Sequence, residues 1–125
     1  MFDARQTFPE DVATGVELHH PDISELDLPS LLHALSDPMR LEIVRSLACS
    51  SEGALPCVAI PLPVSKGTAS HHFKVLRLAG VIAQRDEGTR RISSIRREDL
   101  EQRFPGLLDS VLRAAQAEQA ERSAT

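Results

Sequence analysis

SKGTASHHFKVLRLAG, residues 65–80, runs directly into VIAQRDEGTRRISSI, residues 81–95, and together they decide the fold. Ser65 stands where a helix N-cap belongs and Gly80 where a C′ glycine belongs. Between them Ala69, Phe73, Leu76 and Ala79 recur at i, i+4, i+7 and i+10, which is one helical face. The other face carries Lys66, Thr68, Ser70, His71 and Lys74, short donors and cations of the kind that meet phosphates and base edges. Val81–Arg85 and Arg91–Ile95 then have strand character around Asp86-Glu87-Gly88-Thr89, a four-residue link containing glycine, and read as a hairpin with arginines at its tip. A polar, cationic helix followed by a basic hairpin is the layout of a winged helix-turn-helix.

Upstream, Leu28, Leu31, Leu32 and Leu35 recur at helical spacing within Ile23–Ser36, with Pro29 acceptable in a first turn. Asp37-Pro38 marks the next boundary as N-cap and first helical residue, and Leu41, Val44, Leu47 and Ala48 form one stripe after it. Pro56, Pro61 and Pro63 limit any helix in residues 50–64, which leaves about two turns around Leu55–Ile60 as the positioning helix of the motif. Downstream, Arg97–Arg103 reads as a short helix, and Leu108, Val111, Leu112 and Ala115 as the stripe of a last one. The expected division is a flexible arm over 1–21, a winged helix-turn-helix domain over 22–116, and a frayed tail over 117–125. Within the domain, the recognition helix covers 65–79, the wing 81–96 and a dimerisation helix 105–117. The fold class is mainly α with a small β-hairpin. The first and last helices carry more leucine than one small core uses, so they imply a homodimer, which also suits a two-fold symmetric DNA site.

The chain has 125 residues and a net charge of −4, an unpromising total for a nucleic-acid binder. The distribution is more informative. Residues 65–97 hold eight cations (Lys66, Lys74, Arg77, Arg85, Arg90, Arg91, Arg96, Arg97) against two acids, while both flanks are acidic. Trp and Tyr are absent and Phe occurs four times, which argues against base stacking on single strands. The first residues are polar and acidic and no apolar run is long enough for a membrane span, so a cytoplasmic protein with no membrane partner is expected.

ALSDPMRLEIVRSLA (Ala34–Ala48) followed by SKGTASHHFKVLRLAGVI (Ser65–Ile82) resembles the ArsR/SmtB family of bacterial winged-helix regulators over roughly residues 26–112. The resemblance rests on two motifs taken together, LxDPxR and SxxTxSHHxxxLxxAGxI. It implies a homodimer that binds double-stranded operator DNA and represses neighbouring genes, released by a signal. By match of position it places DNA contacts on Lys66, Thr68, Ser70, His71 and Lys74 of the helix and on Arg90 and Arg91 of the wing tip. Lys66 and Lys74 then suit phosphates, Thr68, Ser70 and His71 base edges, and the two arginines a minor groove or backbone. His72, beside the apolar stripe, is expected to anchor the helix by a hydrogen bond. The family's metal-sensing sites do not carry over: Ala54-Leu55-Pro56-Cys57 offers one thiol, and Leu107–Ala117 offers Asp109 and no histidine.

Cys49 and Cys57 are the two thiols, and three readings of them stay open: inert small hydrophobes, a reversible disulfide, or a soft metal or metalloid site. No other cofactor is expected, and no metal-ligand set is assigned. Catalytic signatures are absent, and Ser70 with His71 and His72 fails as a nucleophile and base because neighbouring helical residues diverge, so no enzyme is expected. The alternative to a DNA-binding regulator is a winged-helix module that binds another protein.

Overall fold

The structure, a computed structural model, describes residues 18–124. Caps set its helices. The Asp27 carboxylate accepts from the Ser30 amide at 2.9 Å and starts α1, Leu28–Leu35, with Pro29 inside its first turn. Asp37 accepts from the Met39 and Arg40 amides and starts α2, Pro38–Cys49. Ser65 accepts from the Thr68 amide and starts α3, Lys66–Leu78. The first helix is shorter than expected because Ile23–Glu25 forms a separate 3-10 turn before the Asp27 cap.

The expected helix around Leu55–Ile60 is a strand and a single 3-10 turn. β1, Ala54–Pro56, is followed by the turn Cys57–Ala59. The cause lies 36 residues and more downstream. β1 pairs antiparallel with β3, Arg90–Ile95, placing Leu55 opposite Ser93, and the pairing overrides local preference. β2, Ile82–Glu87, pairs antiparallel with the other side of β3, giving the order β1-β3-β2. The hairpin is tighter than expected, with Gly88 and Thr89 alone outside the strands. Gly88, at φ +62°, supplies the backbone that the first loop position demands. With the expected positioning helix gone, α2 packs against α3 in its place.

α4, Arg97–Arg103, agrees with the sequence, and α5 runs Leu107–Ala124. The expected frayed tail is therefore helical as far as residue 124. Of the expected arm over 1–21, residues 1–17 lie outside the described residues. The rest is packed: Leu18 and Pro21 are buried, and the Gln84 amide donates to His20 Nε2 at 2.9 Å. Among the described residues no helix is long and apolar enough to cross a membrane.

One core joins these elements. Leu31 and Ala34 of α1, Ile43, Val44 and Leu47 of α2, Phe73 and Leu76 of α3, Val81, Ile82, Leu100, Leu108 and Leu112 are all buried in it. Leu28 and Leu32, the other half of the α1 stripe, are 43% and 46% exposed. Gly80 ends α3 at φ +86°, and a Cβ there would overlap the buried Leu26 side chain. Gly80→Ala is therefore expected to lower stability by about 2 kcal/mol, from backbone strain and displaced Leu26, as read by urea denaturation.

Candidate nucleic-acid interface

α3 has two jobs on two faces. Phe73 and Leu76 fix it to the core, while Lys66, Thr68, Ser70 and His71 are exposed and Lys74 is half-buried. A groove of about 820 Å³ lies between α3, the 57–64 segment and the sheet. Lys66, Ser70, His71, Lys74 and Arg91 all line it. Five of the seven side chains expected to contact DNA are thus gathered on one concavity. Thr68 is exposed outside it, and its Oγ1 accepts from the Ser65 hydroxyl at 3.0 Å, so this residue is tied into the helix cap. Arg90 is exposed at the hairpin tip, also outside the groove lining.

The cationic segment is less free than its charge count implies. Arg77 is buried at 1% exposure. Arg91 donates to Asp86 at 3.0 Å across the hairpin, and Arg85 to Glu87 at 2.9 Å along one strand. Arg96 pairs with Asp99 and also donates to the Pro21 carbonyl, while Arg97 pairs with Asp109. Among the described residues no ion pair reaches Lys66, Lys74 or Arg90. These three have no carboxylate partner there, while Arg91 lines the groove wall with its charge shared with Asp86. The segment sum could not reveal this, because pairing depends on register and on acids beyond residue 97.

Sequence reasoning also passed over the group that orients α3. Arg40, three residues after its helix cap, is buried. Its Nε donates to the Ala34 carbonyl at 2.7 Å and its Nη2 to the His33 carbonyl at 3.2 Å, satisfying the open C-terminal end of α1. Its Nη1 lies 3.3 Å from His72 Nδ1. Since a guanidinium only donates, Nδ1 accepts, and the imidazole proton sits on Nε2, 3.8 Å from Asp37 Oδ2. His72 thereby ties α3 to the α1–α2 corner, the anchoring role expected for it. The DP-x-R run is this corner in sequence form: Asp37 caps, Pro38 opens the helix and Arg40 binds three acceptors.

Burial pushes the Asp37 carboxyl up, but the Arg40 and Met39 amides, helped by His72 and the Arg40 charge, outweigh it and hold the group below its ordinary value of 3.8. Hydrogen bonds from Ser30 do the same for Asp27, and from Ser24 for Asp22. All three carboxyls bind protons more weakly folded than unfolded. Their stabilisation is therefore complete above about pH 3.8 and lost as pH falls through their lower folded values. Thermal midpoints measured from pH 7 to pH 2 are expected to drop in that acid window, and Asp37→Asn, which keeps an acceptor but cannot titrate, to shrink the drop.

The thiols have separate neighbours. Cys49 is exposed at the end of α2, where Gln116 of α5 donates to its Sγ at 3.3 Å. Cys57 borders the groove, its Sγ 3.3 Å from Ser93 Oγ and 3.6 Å from Gln84 Nε2. Both are free, with no bond between them. Among the described residues no three His, Cys, Asp or Glu side chains come together as a metal site.

The chain is 37% identical over 83 residues to the uncharacterized HTH-type transcriptional regulator YceK of Bacillus subtilis (strain 168), covering 65% of this chain and 82% of that relative. Its fold is similar to that of Rv0081 from M. tuberculosis, at 24% identity and a TM-score of 0.54, covering 78% of this chain and 92% of the other. It is also similar to that of an ArsR family transcriptional regulator of known crystal structure, at 21% identity and a TM-score of 0.52, covering 78% and 96%. No family model matches the chain.

Proposed function

The chain belongs to the HTH-type transcriptional regulators and shares the fold of an ArsR family regulator, and from that premise we propose that it is an ArsR-type regulator that binds double-stranded operator DNA as a homodimer and acts as a repressor. One observation carries the reading: Lys66, Ser70, His71, Lys74 and Arg91, drawn from α3 and the wing, line a single groove. Cations there suit phosphate oxygens, and the hydroxyl and imidazole suit base edges. The exposed leucines Leu28 and Leu32 of α1 support self-association through the first and last helices. The test is binding to the DNA upstream of the protein's own gene, followed across salt concentrations. Tight binding whose logarithm falls linearly with log salt supports the proposal, and binding indifferent to salt and sequence sinks it.

The Arg91–Asp86 pair gives a sharper expectation. Asp86→Asn frees Arg91 and removes an anion from the DNA side. DNA affinity is expected to rise several-fold and the salt slope to steepen by up to about 0.9 per subunit, read by fluorescence anisotropy. For the release signal, Cys49 and Cys57 are the candidates, through thiol oxidation or metalloid binding. Peroxide or arsenite that still releases DNA from the C49S/C57S variant excludes both thiols.

A further inference from the structure

Val58 is the side chain of the groove that charge and hydrogen bonding leave unexplained. It lines the concavity with Lys66, Ser70, His71 and Lys74, yet it is 82% exposed. Among the described residues the other exposed large apolar side chains, Leu28, Leu32 and Leu78, stand at 43%, 46% and 42%. Its position is fixed by its neighbours. It is the middle residue of the turn Cys57–Ala59, directly after Pro56 has paired with Ile92 of β3. The Ile60 amide closes that turn on the Cys57 carbonyl at 3.2 Å, and the Ile60 side chain is buried in the core. A branched Cβ then leaves Val58 few rotamers. The fold thus holds an apolar group open to solvent on the wall of a cationic concavity.

The two lysines select a polyanion, and a phosphate has no use for valine. Duplex DNA carries one apolar group on its major-groove edge, the C5-methyl of thymine, among hydrogen-bond donors and acceptors. The groove then has a counterpart for each chemistry: Lys66 and Lys74 for phosphates, Ser70 and His71 for polar base edges, and Val58 for the methyl. On the α3 wall Gly67 leaves open space, with nothing within 4 Å of where a Cβ would stand, so a base-pair edge meets no side chain there.

We infer that Val58 is a specificity-determining residue that packs on the C5-methyl of one thymine in each half-site. The inference rests on the DNA-binding reading and adds to it a base contact from outside the recognition helix. One buried methyl is worth about fourfold in affinity.

The test removes one group from the protein and one from the DNA. Replacing thymine by uracil takes away only the methyl and keeps every hydrogen-bonding group of the base. Each thymine of the bound upstream fragment is replaced in turn, and the full chain and its Val58→Ala variant are compared by fluorescence anisotropy. At one position per half-site, uracil is expected to cost the unsubstituted protein about fourfold and the variant nothing. On the thymine operator the variant is expected to bind about fourfold more weakly per half-site, with an unchanged salt slope because no phosphate contact is lost. An exposed side chain is being shortened, so the melting temperature is expected to hold. Equal affinities of the two proteins overturn the inference. Weaker binding by the variant with the same uracil losses in both proteins shows a contact to sugar or backbone, and overturns it too. Altered self-association of the variant without DNA places a second copy over Val58 instead. Those three outcomes leave the DNA-binding reading standing. If the unsubstituted protein binds no duplex at any salt, that reading falls and takes the inference with it.

Discussion

Replacing Lys66 and Lys74 together with alanine is expected to weaken operator binding by on the order of 10³-fold at 0.1 M monovalent salt. Each phosphate contact contributes a slope of about 0.9 in log affinity against log salt, hence roughly eightfold at that concentration. A symmetric dimer loses four contacts, so its slope falls by about 3.6, while a lone subunit loses two and its slope falls by about 1.8. The measurement therefore reads stoichiometry and mechanism at once. Both lysines stand outside every ion pair among the described residues, and one is exposed and the other half-buried, so the melting temperature is expected to hold. An unchanged slope shows that these ammonium groups do not meet phosphates, and the groove then loses its proposed role.

Arg40→Met is expected to cost about 3 kcal/mol of stability, the largest effect expected of any change outside the apolar core. The guanidinium is buried and serves three acceptors on two other elements: the Ala34 and His33 carbonyls of α1 and His72 Nδ1 of α3. Methionine fills similar volume and leaves all three without their donor. Arg40→Lys is expected to recover less than half of the loss, because one ammonium cannot span a fork of three acceptors. Urea denaturation of the three proteins checks both statements, and a loss below 1 kcal/mol for Arg40→Met refutes the corner as a structural hub. His72→Ala, which removes only the α3 side of the corner, is expected to cost less and to lower DNA affinity through the orientation of α3.

Much of this architecture was legible where chemistry is local. Ser65, Asp37-Pro38 and Gly80 announce helix boundaries because caps and positive φ are satisfied within a few residues. The wing was legible from two alternating runs around a glycine. β1 was not: three residues are too few for periodicity, one of them is proline, and the reason they extend is β3, far along the chain. α5 outruns the expected 105–117 because its last residues carry no apolar stripe to read, although Ala, Gln, Glu and Arg are good helix formers. The site follows the same division. The helix face carrying Lys66, Ser70, His71 and Lys74 was read from spacing, whereas the burial of Arg77 and the pairing of Arg85, Arg91, Arg96 and Arg97 depend on tertiary neighbours. Arg40 was visible as part of a motif, but its partners were not, since two of them are main-chain carbonyls.

Both margins of the small sheet are partly blocked. On one side the outermost strand is three residues long and ends in Pro56, which has no amide hydrogen to offer. On the other, the outward amide of Gln84 is already occupied by an imidazole. Among the described residues, a neighbour's strand therefore meets a three-residue, proline-ended margin on one side and a margin with one amide already taken on the other, which disfavours strand addition between copies.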